Sequence, residues 1–375
     1  MTTALYGFCD PRFAAVQAAF QANFDDGQEL GARFAFSVGG QVVVDLWAGH
    51  ADKRRTMPFD ERTLTPVYST TKAVAATMIA RLVEEGKLRF DQPVAEVWPE
   101  FARNGKGAIT IEQVLSHQAG LPGFLDEMDP ALWFDRQAIV KKLAALAPMW
   151  LPGSASGYHA VTVGYLAGEI FRRVDGRSLG TALREDICLP ADLDLWIGLP
   201  DSEHDRCAEL QPPKALPQFG EVTDPKRAAF LTPWAAPGGR GSADWRRMEI
   251  PSANGHATAR ALAQFMGALA GSGDLGGVHL LSPAVRDQAR AQRIVGQDLV
   301  LPFVLSWSAG FMRNPPNHFF GPGEQTFGHS GWGGSCAFAD PERGVAGAYV
   351  MNKQDVYLIG DPRSRRLIEA AYQSL

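Results

Sequence analysis

The sequence predicts an α+β protein in which one mainly antiparallel sheet is assembled from both ends of the chain, with a mostly helical segment inserted between them. Three observations carry this. Strand-like runs cluster at the two ends. The readable segments from about 91 to 291 are mostly helical and separated by Pro/Gly-rich loops. The connections at both ends are short and hairpin-like, which suits antiparallel pairing. The expected division is a discontinuous sheet domain, 1–90 with 292–375, and a helical domain, 91–291. The active site should lie in the cleft between them.

The elements follow in order. Asp10-Pro11 places an N-cap before a proline in the first helical position, and Phe13, Val16, Phe20 and Phe24 then fall near one face. Ala32–Val38 and Gln41–Trp47 flank Gly39-Gly40 and read as a β-hairpin. A helix begins near Ser69, with Val74, Met78 and Leu82 on its apolar face and Gly86 as its stop. Thr110 with Gln113 three residues on forms a capping-box pattern for 111–116. Further helices are expected at 131–147, 160–174, 179–188, 257–270 and 283–291. The stretch 211–251, rich in Pro, Gly and Trp, is long for a connector and is expected to form a wall or lid. Strand signals return at 306–313, 326–329, 335–339 and 345–351. Asp361-Pro362 opens a last helix, and the first, second and last helices are expected to flank the sheet.

Composition narrows the function. The 375 residues are 46% hydrophobic and 21% charged, enough apolar material for a large core. The net charge of -5 and the lack of a basic stripe argue against nucleic acid as a partner. No apolar run approaches the roughly 20 residues that span a bilayer, so no membrane partner is expected. The opening residues carry no basic head and no apolar stretch of signal-peptide length. Cys9, Cys188, Cys207 and Cys336 are scattered, which fits a reducing cytosol and neither a disulfide framework nor a zinc site. The eight histidines show no metal-ligand spacing, and no phosphate-binding glycine pattern is present. A cytoplasmic protein without metal or organic cofactor is expected.

Three segments can carry chemistry. In Ser69-Thr70-Thr71-Lys72, a serine at a helix start has a lysine one turn later on the same face. A serine hydroxyl is a poor nucleophile until a neighbouring base takes its proton, and a helix N-terminus offers N–H groups to a developing anion. Alone, the pattern reads as a capping serine and a surface lysine. Tyr158, in Gly157-Tyr158-His159, could shuttle a proton; near a lysine ammonium it would sit partly as phenolate. Its bland counterpart is a core tyrosine. Gly328-His329-Ser330-Gly331-Trp332-Gly333-Gly334 would let substrate approach the backbone and leave an N–H near Trp332 free, or is simply a Gly-rich turn.

In order and spacing these segments resemble the serine β-lactamase and penicillin-binding-protein superfamily. The nearest likeness is to family VIII carboxylesterases, relatives of class C β-lactamases. It rests on Val67-Tyr-Ser-Thr-Thr-Lys-Ala-Val, Leu115-Ser-His-Gln-Ala-Gly-Leu-Pro, Tyr158-His159 before Gly164-Tyr-Leu-Ala-Gly-Glu, and Phe327-Gly-His-Ser-Gly-Trp-Gly-Gly. The resemblance implies a serine β-lactamase-like fold, Ser69 as nucleophile, and Lys72 with Tyr158 as the proton-transfer pair, the base among them left open. It also implies an oxyanion hole from the N–H groups of Ser69 and Trp332, with His329 and Gly331 at the substrate. The implied reaction is hydrolysis of a small-molecule ester, short-acyl or aryl, through an acyl-Ser69 intermediate. β-Lactam or D-Ala-D-Ala amide cleavage and acyl transfer are the alternatives within that chemistry. A binding protein that kept only the fold is the alternative outside it.

Two departures from class C β-lactamases favour esters. Tyr158-His159-Ala160 replaces Tyr-x-Asn, and His329 replaces a lysine, so a substrate carboxylate loses a charge-assisted anchor. A second serine motif, Gly176-Arg-Ser178-Leu-Gly180, follows a helix rather than a strand. Ser178 therefore reads as a helix cap, not as a nucleophile elbow.

Overall fold

Gly39 and Gly40 both adopt left-handed backbone, with φ of 58° and 80°, as a two-residue hairpin turn requires. They join β2 (Gly31–Val38) to β3 (Gln41–Gly49), whose edge neighbour is β1 (Leu5–Cys9). The computed structural model describes residues 2–375. Three short strands, β4 (Thr65–Pro66), β5 (Leu195–Ile197) and β6 (Gly255–Ala257), form a separate sheet, and β7 (Asp274–Leu275) pairs with β8 (Val278–His279). The C-terminal part supplies β9 (Ile294–Gln297), β10 (Val304–Trp307), β11 (Met312–Arg313), β12 (Phe327–Ser330), β13 (Cys336–Asp340) and β14 (Val345–Met351). The main sheet has nine strands in the order β1-β3-β2-β14-β13-β12-β11-β10-β9, every neighbouring pair antiparallel. The two ends of the chain meet where β14 pairs with β2, Tyr349 opposite Phe34.

Helices cover both faces. Phe36 of β2 packs on Phe13 (5.8 Å between ring centroids) and Tyr372 (6.3 Å), beneath the paired helices Ala14–Asp25 and Pro362–Gln373. The next residue, Ser37, points the other way and meets Gly267 of the helix Ala259–Ala270. That helix buries Leu262, Phe265, Met266 and Leu269 and packs on β2, β3, β13 and β14. The sheet layer thus draws a helix from inside 91–291 as well as from the ends of the chain. The helix Thr71–Glu84 is buried along nearly its whole length and packs against Thr162–Asp175 and β12.

Capping set most helix boundaries as expected. Thr110 and Gln113 bond reciprocally, Ser282 and Asp361 cap the helices that follow them, and Ser178 accepts from the Thr181 N–H. The single helix expected over 131–147 is two pieces. Asp135 ends the 3₁₀ turn Pro130–Phe134 and caps Arg136–Ala145 by accepting from the Ala138 N–H at 3.0 Å. The strand expected over 306–313 is likewise split into β10 and β11. Gly310 turns there with φ 93°, its position so close to Ala76 that a Cβ would lie 2.5 Å away. Among the described residues no helix is long and apolar enough to cross a membrane, and all four cysteines are free.

Candidate active site

Ser69 lies in the 3₁₀ turn Tyr68–Thr70 that leads into Thr71–Glu84. Tyr68 holds φ at 47°, an uncommon conformation for a bulky residue and a sign of local strain. Its ring is wedged between Trp332 (5.7 Å) and Trp245 (6.2 Å). The turn is stitched to its surroundings. The Val67 N–H donates to Gly255 O at 2.9 Å, and the Ser335 hydroxyl donates to Val67 O at 2.8 Å. With that proton committed, the Thr70 hydroxyl is the donor in its 3.0 Å bond with Ser335. Gly331 stands against the same turn; a Cβ there would lie 2.2 Å from Val67 O and 2.2 Å from Ser335 Oγ. This absence of a side chain brings the 331–334 loop against the Ser69 turn. Neither the Ser69 nor the Trp332 backbone N–H is bonded to an acceptor among the described residues.

Lys72 is 4% exposed, and its Nζ lies 3.0 Å from Ser69 Oγ, 2.8 Å from Ala160 O and 2.8 Å from Ser252 O. No carboxylate accompanies it among the described ion pairs. Burial therefore holds its ammonium well below the ordinary lysine range. A neutral amine has two N–H bonds and one lone pair. The two carbonyls take the N–H bonds, which leaves the lone pair for the serine proton.

Tyr158 and Ser69 line the same small void, and Lys72 Nζ sits 4.7 Å from the centre of the Tyr158 ring. The expected partial phenolate is not favoured. Desolvation pushes the phenol well above its ordinary value, and a neutral Lys72 supplies no positive charge to pull it down. Tyr158 stacks on Trp307 (5.8 Å) and Phe230 (6.3 Å).

His329 is buried 6.0 Å from the Tyr158 ring. Its Nδ1 donates to Ser330 O at 2.7 Å, so Nε2 carries the lone pair, and that atom has no partner. Burial pushes the imidazole down to about 3, so it is neutral near pH 7. His159 points elsewhere: its Nε2 accepts from the Leu121 N–H at 2.8 Å and its Nδ1 donates to Gly157 O at 2.6 Å. Its neighbour Ala160 lines the pocket and holds Lys72.

A cavity of ≈ 240 Å³ opens at Ser69 between Trp332, Trp245, Phe219 and Phe230, with Arg240 as its one charged lining residue. A void of ≈ 30 Å³, large enough for a water, lies against Ser69, Tyr158, His329 and Trp332. The stretch 211–251 forms one wall of the larger cavity. Among the described residues no group of three or more His, Cys, Asp or Glu could hold a metal ion.

The structure therefore gathers Ser69, Lys72, Tyr158, His329, Gly331 and Trp332 into one place. Ser178 bonds Glu249 at 2.6 Å as part of a helix cap. Sequence reasoning missed Ser252 and Ser335, which act through a backbone carbonyl on Lys72 and a hydroxyl stitch to Val67, features for which no motif exists.

Residues 16–370 match the Beta-lactamase family. The chain is 37% identical over 362 residues to the esterase/β-lactamase LipL of Mycobacterium tuberculosis, covering 93% of this chain and 83% of that protein. A penicillin-binding protein homologue from Caulobacter crescentus superposes with a TM-score of 0.98 and 66% identity, over 100% of both chains. A family VIII carboxylesterase superposes with a TM-score of 0.93 and 41% identity, over 99% of this chain and 100% of that one. The chain belongs to the β-lactamase family.

Proposed function

We propose that the protein is a serine carboxylesterase that hydrolyses small esters, short-acyl or aryl, through a covalent acyl-Ser69 intermediate. One observation carries the reading: a buried lysine without a counter-anion has its Nζ 3.0 Å from the Ser69 hydroxyl. The Lys72 lone pair takes the Ser69 proton as Oγ attacks the ester carbonyl. The free N–H groups of Ser69 and Trp332 receive the developing oxyanion. Tyr158, kept protonated, gives its proton to the departing alkoxide. This leaves Lys72 as the ammonium and Tyr158 as the phenolate, the forms that the second half of the cycle needs. Water then attacks the acyl carbonyl, and the same groups run in reverse to release the acid. Ester and water supply every atom, so no cofactor takes part.

The apolar lining and the neutral His329 suit an ester without a carboxylate at that position. The chain's likeness to the esterase/β-lactamase LipL and to the family VIII carboxylesterase supports ester chemistry. LipL's double name keeps β-lactam cleavage as the second reading.

A fluorophosphonate tests the machinery. Mass mapping should place the label on Ser69, absent in Ser69→Ala. Label on Ser178, or a folded protein that takes none, would overturn it. The ratio of aryl acetate to cephalosporin turnover, with and without added alcohol, separates esterase from β-lactamase and acyltransferase.

A further inference from the structure

Asp298 is 2% exposed and forms no ion pair among the described residues. Its Oδ1 accepts from the backbone N–H groups of Tyr158 (2.9 Å), Val300 (3.0 Å) and Leu301 (2.9 Å). Its Oδ2 accepts from the Ser156 hydroxyl (3.0 Å) and the Trp307 indole N–H (3.3 Å). Four of the five partners are N–H groups, which can only donate. A carboxyl carrying its own proton would have almost nothing to give it to, so the site is built for the anion. Burying an anion is costly unless hydrogen bonds replace its water, and these five donors do so. Two of its partners are the backbone of Tyr158 and the indole that stacks on the Tyr158 ring at 5.8 Å. A third, Ser156, ties the same loop, and Leu299 N–H donates back to Ser156 O at 2.9 Å.

We infer that Asp298 is a positioning residue of the reaction: it seats Tyr158 on the nucleophile, and its fixed negative charge keeps the phenol in its proton-donating form. The other titratable groups against that ring are Lys72 from the nucleophile helix, His117 from the turn after Leu115, and His329 from β12. Burial favours the neutral form of all three. Asp298 then supplies the one formal charge acting on Tyr158, and it acts in the direction that disfavours phenolate. The roles of Lys72 as base and Tyr158 as acid are thus set partly by a residue that touches neither substrate nor Ser69. This rests on the esterase reading only in naming the reaction.

Asp298→Asn is the informative variant. Its amide oxygen retains the three backbone donors while the charge is lost. We expect a cooperative thermal transition, an unchanged KM, and a fall in kcat of roughly tenfold, within the range of acid–base contributions. In the Tyr158→Phe background the same change should cost less than about twofold, because two residues acting through one group are not additive. The alkaline limb of the kcat profile should also move to lower pH. Equal factors in both backgrounds, or an unmoved alkaline limb, would overturn the proposal. The same cycle run on the rate of Ser69 phosphonylation keeps the two readings apart. If no ester is turned over, the esterase reading fails while the labelling cycle still decides the role of Asp298.

Discussion

The two walls of the cavity at Ser69 are built in opposite ways. On the Ser69 side, Val67–Lys72 and the 331–335 loop are held by bonds among Val67, Thr70, Gly255 and Ser335, and Gly331 leaves no room for a side chain. On the other side, residues 212–222 make no backbone–backbone hydrogen bond among the described residues, and Leu216 and Val222 stand 72% and 59% exposed. A proton transfer needs its atoms placed within a few tenths of an ångström, so the first wall is over-determined. An apolar pocket discriminates weakly by shape, and a loosely held loop can serve it. The contrast locates chemistry in the first wall and substrate choice in the second.

Four changes test that contrast, from the largest effect to the smallest. Lys72→Ala should cut both ester turnover and Ser69 labelling by about 10²- to 10⁴-fold, the span of a positioned base. Retention of more than a tenth of the labelling rate would make Lys72 a spectator. Gly331→Ala should follow closely. The added methyl must displace Val67 O or Ser335 Oγ, so overpacking should cost about 1–3 kcal/mol of stability and a larger share of kcat than of KM. A normal melt with normal kcat would show that the loop is not pressed against the nucleophile turn.

Acid should unfold the protein through its rigid side. His159, His256 and His329 are each pushed by burial from an ordinary value near 6.5 down to about 3. The folded value lies below the unfolded one, so the unfolded chain binds more protons in between. The stability they confer is whole above pH about 6.5 and is lost as pH falls toward about 3. The melting temperature should drop through that window, and less steeply in His256→Gln, which removes one titrating group away from Ser69. An identical slope would show that His256 is not a neutral buried imidazole.

The smallest effect belongs to the loose wall. Leu216→Ser should leave the melt within about 0.5 kcal/mol of the parent, as surface changes do. It should alter KM for a long aryl ester by a few-fold without touching the labelling rate. A lost labelling rate would erase the division between the walls.

Much of this architecture is legible in the sequence. The hairpin at Gly39-Gly40, the caps at Thr110, Ser282 and Asp361, and the pairing of strands from both ends rest on local rules that packing did not overrule. What escaped had weak local signals. β1 is an edge strand whose Tyr6 and Phe8 face solvent, and β4–β6 are too short for alternation to show. Asp135 looked like one more polar position inside a helix until its cap divided the helix.

The site divides along the same line. The sequence by itself determined that a serine and a lysine share one helical turn, that a tyrosine follows Gly157, and that glycines surround Trp332. Periodicity and the lack of side chains are properties of neighbours along the chain. Tertiary structure decided what those groups are. Lys72 is held well below the ordinary lysine range because the fold buries it against Ala160 and Ser252, 88 and 180 positions away, and brings no carboxylate beside it. Tyr158 is pushed above the ordinary phenol range by burial first, and then by Asp298, 140 positions on. A protonation state is set by desolvation and by nearby charge, and both are summed over whatever the fold brings close.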